Sequence, residues 1–413
     1  MKKIYLKIAS DSLYRNSAFL LASNIIMSAF GFIFWALSAR IFTTGEIGLA
    51  STLISGVDLV VSFTLLGLNI GLVRFLPISV HKNDKINSVL TLVVITSIIG
   101  SLIFITGLKL FSPKLSFLHN SVFVAFMFVL FVISTNMSEV VKNIFKAFRS
   151  SQFVLLNNTI LNISKITLVL LFISMGTLGL FYSWLTATAL AVIISFIILV
   201  KKYRFVPNFT IKVAALKKIF SFSFANYISE FLDRAPRFGL PILITSIAGA
   251  EQTAYFYIDM SIASFLFLLP EAIVASFYAE SSANEKELSK NTLKTLKAFA
   301  LILIPSTLFF ILFGEYILLF FGKDYSSEGL LLLKILTLST FPVALNSLFA
   351  NIFKVKFNMR IVIIVNLIGS ALILYLSAVH LKSSLSNVGW AFLTGNILMN
   401  FLYLIPIFLY RRK

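Results

Sequence analysis

The chain has 413 residues, of which 59% are hydrophobic and 12% charged. Soluble domains run at about 45–50% apolar and about 25% charged, so the composition excludes a soluble globular protein and leaves an all-α integral membrane protein. The net charge of +19 does not imply nucleic acid, because most lysines and arginines sit in short connections between apolar runs, as membrane topology requires.

Read in chain order, the opening MKKIYLKIASDSLYR alternates basic and apolar residues. It is too polar for a signal-peptide core and is expected to form a short interfacial helix. Apolar runs then predict twelve spans, at 17–40, 47–72, 87–111, 120–142, 152–174, 177–200, 219–247, 252–279, 294–314, 327–353, 359–380 and 387–409. An even number puts both termini on one side. The connections on that side hold 26 Lys/Arg against 5 on the other, which orients both termini to the cytoplasm of a cell membrane.

The chain repeats at an offset of 205 residues. TGEIGLAS (44–51) lies over GAEQTAYF (249–256), and 87–111 lies over 292–316. With five residues inserted, 179–204 lies over 389–413. Six spans per half make the repeat parallel, with a pseudo-two-fold along the membrane normal. The expected organisation is an N-terminal six-helix bundle over 1–200, a cytoplasmic linker over 201–218 and a C-terminal six-helix bundle over 219–413. A substrate site between the halves is the transporter-like expectation.

Charges inside spans are costly and mark cavities or partners. The densest group lies in NYISEFLDRAPRFGLPI (226–242). Glu230 and Arg234 are spaced i,i+4, as are Asp233 and Arg237, with the acid first in each pair, which is the favourable order. The group reads either as a self-neutralised ladder or as site equipment. Pro236 and Pro241 are expected to loosen the helix beside it. The repeat-equivalent positions are Ile25, Ser28, Ala29 and Phe32, so the first half carries no echo of the charges.

In span 5, Asn158, Asn162 and Lys165 fit one helical face, which predicts a water-facing wall or a snorkelling lysine. Asp58 and Asp259 are candidate proton or sodium carboxylates. Glu139, Glu271 and Lys334 complete the set of intramembrane charges.

The chain has no cysteine, which excludes disulfides and Cys-ligated metals. His81, His119 and His380 are too scattered for a metal site. There is no Walker lysine motif and no Ser/His/Asp arrangement, so neither an enzyme nor a cofactor is expected.

Several stretches carry a family resemblance. RNSAFLLASNIIMSAFGFIFWALSARIFTTGEIGLASTL (15–53) resembles the opening of O-antigen-type polysaccharide flippases, through Gly31–Phe32, Ala39–Arg40–Ile41–Phe42 and Glu46–Ile47–Gly48. Residues 250–281 are similar to that family's span 8, and FKAFRSSQF (145–153) to its loop between spans 4 and 5. The resemblance implies the MATE-like fold of the multidrug/oligosaccharidyl-lipid/polysaccharide exporter superfamily. It also implies flipping of a polyprenyl-diphosphate-linked oligosaccharide from the cytoplasmic to the outer leaflet, with H+ or Na+ coupling.

The partners implied are the lipid-linked oligosaccharide, membrane lipids and the polysaccharide polymerase machinery. Arg234, Arg237 and Lys165 would then meet the diphosphate, and Asn158 and Asn162 the sugar. Glu230 and Asp233 would neutralise the arginines in the empty state. Peptidoglycan-precursor flippases carry an Arg-Asp pair where this chain has Phe34 and Trp35, and they have fourteen spans. The alternatives are a cation-coupled multidrug exporter of the same fold and, in another class, a membrane glycosyltransferase or polysaccharide polymerase.

Overall fold

A computed structural model describes residues 12–111, 115, 118 and 121–411. The expected N-terminal interfacial helix falls largely outside them, and so does the side chain of His119. The described residues form α1 (Ser12–Ile41), α2 (Thr44–Thr64), α3 (Leu68–Phe75), α4 (Lys82–Phe111), α5 (Val122–Ala147), α6 (Gln152–Leu171) and α7 (Thr177–Tyr203). They continue with α8 (Val213–Ile247), α9 (Ala250–Ala283), α10 (Leu288–Leu319), α11 (Lys323–Leu338), α12 (Thr340–Val355), α13 (Met359–His380) and α14 (Ser386–Arg411).

Among the described residues, eleven segments are long and apolar enough to cross a membrane, with α11 and α12 forming one of them across Lys323–Val355. The helix missing from that set is α8. It has 35 residues, about 52 Å at 1.5 Å per residue, but its four clustered charges break the apolar window. Counting α8 gives the twelve crossings read from the sequence.

Two spans are broken where a single run was expected. After α2, Leu66 and Gly67 take positive φ values of 50° and 69°, which ends the helix and redirects it into α3. The break between α11 and α12 falls at Ser339, whose hydroxyl donates to the Ile335 carbonyl at 2.9 Å.

The chain divides into two compact units. Unit 1 comprises the described residues to Phe42 together with Leu53–Tyr227; unit 2 comprises Thr43–Thr52 and the chain from Ile228. The sequence placed the division in the 201–218 connection, but the first half of α8 packs in unit 1. Small residues on α3 let it do so. A Cβ on Gly71 would lie 2.4 Å from Ile219 Cγ2, and one on Gly67 would lie 2.8 Å from Tyr227 Cβ. The Arg74 guanidinium also stacks 4.1 Å from the Phe222 ring centroid.

The first turns of α2 pack in unit 2 for a similar reason, since a Cβ on Gly48 would lie 1.7 Å from the Ala250 carbonyl oxygen. There Thr245 Oγ1 lies 2.5 Å from Thr52 Oγ1 and 2.7 Å from Thr253 Oγ1. Thr43 and Glu46 cap α2 reciprocally, with Thr43 N donating to Glu46 Oε2 at 2.9 Å and Glu46 N to Thr43 Oγ1 at 3.3 Å.

Unit 1 is held by buried amides as well as apolar packing. Asn136 donates to Thr64 at 2.8 Å and Ser97 at 2.7 Å, joining α5 to α2 and α4. Asn157 donates to Ser195 at 2.9 Å and accepts from Ser138 at 3.1 Å, joining α6 to α7 and α5. In unit 2, Val274, Phe277, Phe299, Leu303, Ala344 and Leu348 form one apolar cluster across α9, α10 and α12. A second cluster joins α12, α13 and α14 through Phe353, Val362, Val365, Met399 and Tyr403. Outward positions such as Ile103 and Leu301 stay exposed and apolar, which suits a lipid surround.

Candidate substrate site

The charged stretch sits on α8, and its local chemistry explains how the helix carries it. Ser229, Leu232, Pro236 and Gly239 share one face, which packs on α13. Pro236 has no N–H, so the Leu232 carbonyl loses its intrahelical donor. The Ser370 hydroxyl of α13 donates to that carbonyl instead. Asn366 donates to the Ser229 carbonyl at 3.1 Å and accepts from the Tyr403 hydroxyl at 3.1 Å. The helix therefore runs unbroken through both prolines. The expected loosening is absent because α13 supplies the missing donor.

Glu230, Asp233, Arg234 and Arg237 fall about 100° around the helix from that packed face. All four side chains are exposed. Neither Glu230–Arg234 nor Asp233–Arg237 closes to an ion pair, so of the two readings of this stretch the self-neutralised ladder does not form. The charges instead share partners on two other helices. Glu271 of α9 and Asp233 lie within electrostatic reach of Arg237, and Lys354 of α12 within reach of Asp233. Arg237 also stands 5.9 Å from the Phe267 ring centroid. The result is a neutral group of three cations and three acids on α8, α9 and α12, with both guanidinium forks uncommitted.

The sequence missed part of this group. Lys354 was counted with a loop, although it occupies the last turn of α12. Glu271 was noted without a partner; the proline before it was the usable signal.

The unit 1 candidates take a different form. Asn158, Asn162 and Lys165 do share a face of α6, but all three are buried. That face turns into the unit, where the sequence had suggested water. Asn158 donates to Ser23 at 2.7 Å and Asn162 to the Asn158 carbonyl at 2.8 Å. Lys165 is 2% exposed, and among the described residues no carboxylate pairs with it. Its Nζ lies 4.0 Å from the Trp184 centroid and 4.5 Å from that of Phe34. Trp35 closes the cage at 5.2 Å from Phe34 and 5.9 Å from Trp184. A desolvated cation over such rings gains about 2 kcal/mol or more. Phe34 and Trp35 thus form part of the lysine's enclosure.

The remaining carboxylates lie apart. Asp58 of α2 is partly buried and has Glu139 of α5 as an electrostatic neighbour; Glu139 pairs with Lys142 at 2.6 Å. Asp259 of α9 is fully buried, and among the described residues neither of its oxygens has a hydrogen-bond partner. It packs against Gly329 of α11, where an added Cβ would lie 2.8 Å from both oxygens. Among the described residues, no group of three His, Asp or Glu is arranged to hold a metal ion.

These features can be set against known proteins. The family model described as "Polysaccharide biosynthesis protein" matches residues 13–278. The chain belongs to that family. Its fold is that of the lipid II flippase MurJ in an inward closed conformation, with a TM-score of 0.78 at 15% identity, over 94% of this chain and 87% of that one. An inward-facing multidrug resistance MATE transporter of the MOP superfamily matches with a TM-score of 0.72 at 14% identity, over 91% and 93%. A MOP superfamily transporter from Pyrococcus furiosus, described by the reverse polarity of its binding pocket, matches at 0.60 and 13%, over 95% and 94%. No curated protein matches the chain by sequence. The chain is thus a multi-pass membrane protein of the polysaccharide biosynthesis family with the fold of MOP-superfamily transporters and flippases.

Proposed function

We propose that this protein flips a polyprenyl-diphosphate-linked oligosaccharide from the cytoplasmic to the outer leaflet by alternating access. The observation that carries the reading is the pair of exposed, uncommitted guanidiniums, Arg234 and Arg237, on a membrane-crossing helix. Each phosphoryl group of a diphosphate is anionic and presents paired oxygens, which suit the planar, two-donor fork of an arginine better than the point charge of a lysine. The acids Asp233, Glu230 and Glu271 hold the cluster neutral without substrate, so entry of an anionic headgroup exchanges partners instead of creating a bare charge. Lys165 remains in its aromatic cage, Asn158 ties its helix to Ser23 of α1, and Asn162 bonds back to the Asn158 carbonyl within α6. The polyprenyl chain stays in the bilayer while the headgroup crosses.

Coupling to H+ or Na+ is assigned to Asp259, on its burial and lack of partners, with Asp58 as the other candidate. Asp259→Asn then removes the dependence of flipping on an imposed ion gradient, and a retained dependence contradicts the assignment.

The test is trans-bilayer movement of a fluorescent polyprenyl-diphosphate oligosaccharide in vesicles containing the purified protein. Protein-dependent movement is expected. No movement of any lipid-linked sugar, together with efflux of small organic cations, would place the protein with the drug exporters.

A further inference from the structure

The connection between α7 and α8 is built as a strap. α7 ends at Arg204, whose φ of 51° is the left-handed cap conformation, and Phe205 N returns to the Leu199 carbonyl at 3.2 Å. From there to Lys212 the chain is not helical, and the start of α4 pins it. Asn87 donates to the Val206 carbonyl at 2.9 Å and accepts from Asn208 N at 3.1 Å. Ser88 accepts from Lys212 N at 2.9 Å, and Lys212 Nζ pairs with Asp84 at 2.9 Å. A merely flexible linker would not need these four bonds.

What the pinned strap presents is unusual for a loop. Phe205 is turned in and buried, but Phe209 is 88% and Val206 64% exposed. Ile211 and Val213 are exposed as well. The neighbouring connection before α4 repeats the pattern, with Val80 91% exposed beside His81 and Lys82. Lys201 and Lys202 precede the strap and Arg204 opens it, all exposed, and Lys217 follows it; between 201 and 218 there are six basic residues and no acid. The strap begins directly after a membrane-crossing helix and leads into α8, so these residues lie at the edge of the hydrocarbon layer. Apolar side chains interleaved with cations at that depth have the chemistry of an interfacial anchor on an anionic lipid surface.

We propose that residues 204–213 form an anionic-lipid site, in which Phe209, Val206 and Ile211 enter the headgroup layer while Lys201, Lys202 and Arg204 bind lipid phosphates. The strap thereby fixes the start of α8, the helix that carries the charge cluster, against the membrane surface. The proposal requires only that the protein spans a bilayer, so it stands whichever substrate is moved.

The chain has no cysteine, so Phe209→Cys gives a single labelling position in the full-length protein. A nitroxide there is read by its collisions with oxygen, enriched in lipid, against a water-soluble nickel relaxant. Vesicles of zwitterionic lipid are compared with vesicles containing phosphatidylglycerol, and Glu285→Cys serves as the exposed control. The expected result is shielding from nickel at 209, deeper in the anionic vesicles, with Glu285→Cys water-accessible in both.

On the same labelled protein, Lys201→Gln/Lys202→Gln/Arg204→Gln should weaken the response to anionic lipid on the order of tenfold to a hundredfold. A failure of that triple variant to insert leaves the first comparison decisive. A nitroxide at 209 that is fully water-accessible in both vesicles overturns the proposal and leaves the strap's apolar side chains as a docking face for a protein. Equal shielding in both vesicles removes the anionic preference and overturns it as well.

Discussion

Two intramembrane cation sites in this molecule are solved in opposite ways. Lys165 on α6 is sealed between Trp184 and Phe34, with no acid paired to it among the described residues. Arg234 and Arg237 on α8 are exposed and share three acids across two helices. The first arrangement leaves the cation no open side from which to meet a ligand. The second keeps two guanidinium forks available and balanced. A charge within a membrane-crossing helix is costly either way, and under the proposed function only the second arrangement serves recognition.

The contrast can be broken at four places. The largest expected effect on stability is at the cage. Trp184→Ala removes the closest ring from Lys165 and leaves a cavity, and should cost about 3 kcal/mol, measured by thermal unfolding in detergent. The largest effect on activity is at the arginines. Arg234→Ala/Arg237→Ala removes two charge-assisted partners and should slow headgroup movement about a hundredfold, with the melting temperature little changed because both side chains are exposed.

Next is the helix repair. Ser370→Ala leaves the Leu232 carbonyl without a donor and should cost about 1–3 kcal/mol. Adding Pro236→Ala restores the helix's own N–H and should return most of that loss, which a double-mutant cycle reads directly. The smallest effect is Lys165→Met, which fills the cage with an apolar chain of similar volume. Stability should stay within about 1 kcal/mol of the parent, because the lost cation–π attraction and the relieved desolvation oppose each other, and headgroup movement should be unchanged.

The sequence made the fold legible because lipid leaves few choices. Long apolar runs must be helices that satisfy their own backbone, and the basic connections mark their ends. Twelve crossings followed, including α8, which its own charges hide from a purely apolar criterion. The unit boundary was less legible. It depends on Gly48, Gly67 and Gly71, whose missing side chains admit particular neighbours, and no periodicity announces which helix will approach.

The site was half legible. Spacing put Glu230, Asp233, Arg234 and Arg237 on one face, but spacing within a helix cannot say whether i,i+4 partners close on each other. Lys354 was hidden because a lysine at a span end looks like a topology signal. Lys165 was misleading in a more instructive way. The asparagines beside it suggested water, yet they bind Ser23 and neighbouring carbonyls, and its true partners, Phe34 and Trp184, are distant in sequence.

The most direct measurement compares two variants in one preparation of vesicles: movement of the polyprenyl-diphosphate oligosaccharide by Arg234→Ala/Arg237→Ala and by Lys165→Met, each against the parent chain. The account predicts that the arginine variant loses movement and the lysine variant keeps it. Retained movement without the arginines would contradict the account, and loss of movement with Lys165→Met at unchanged stability would place the headgroup at the aromatic cage of unit 1 instead.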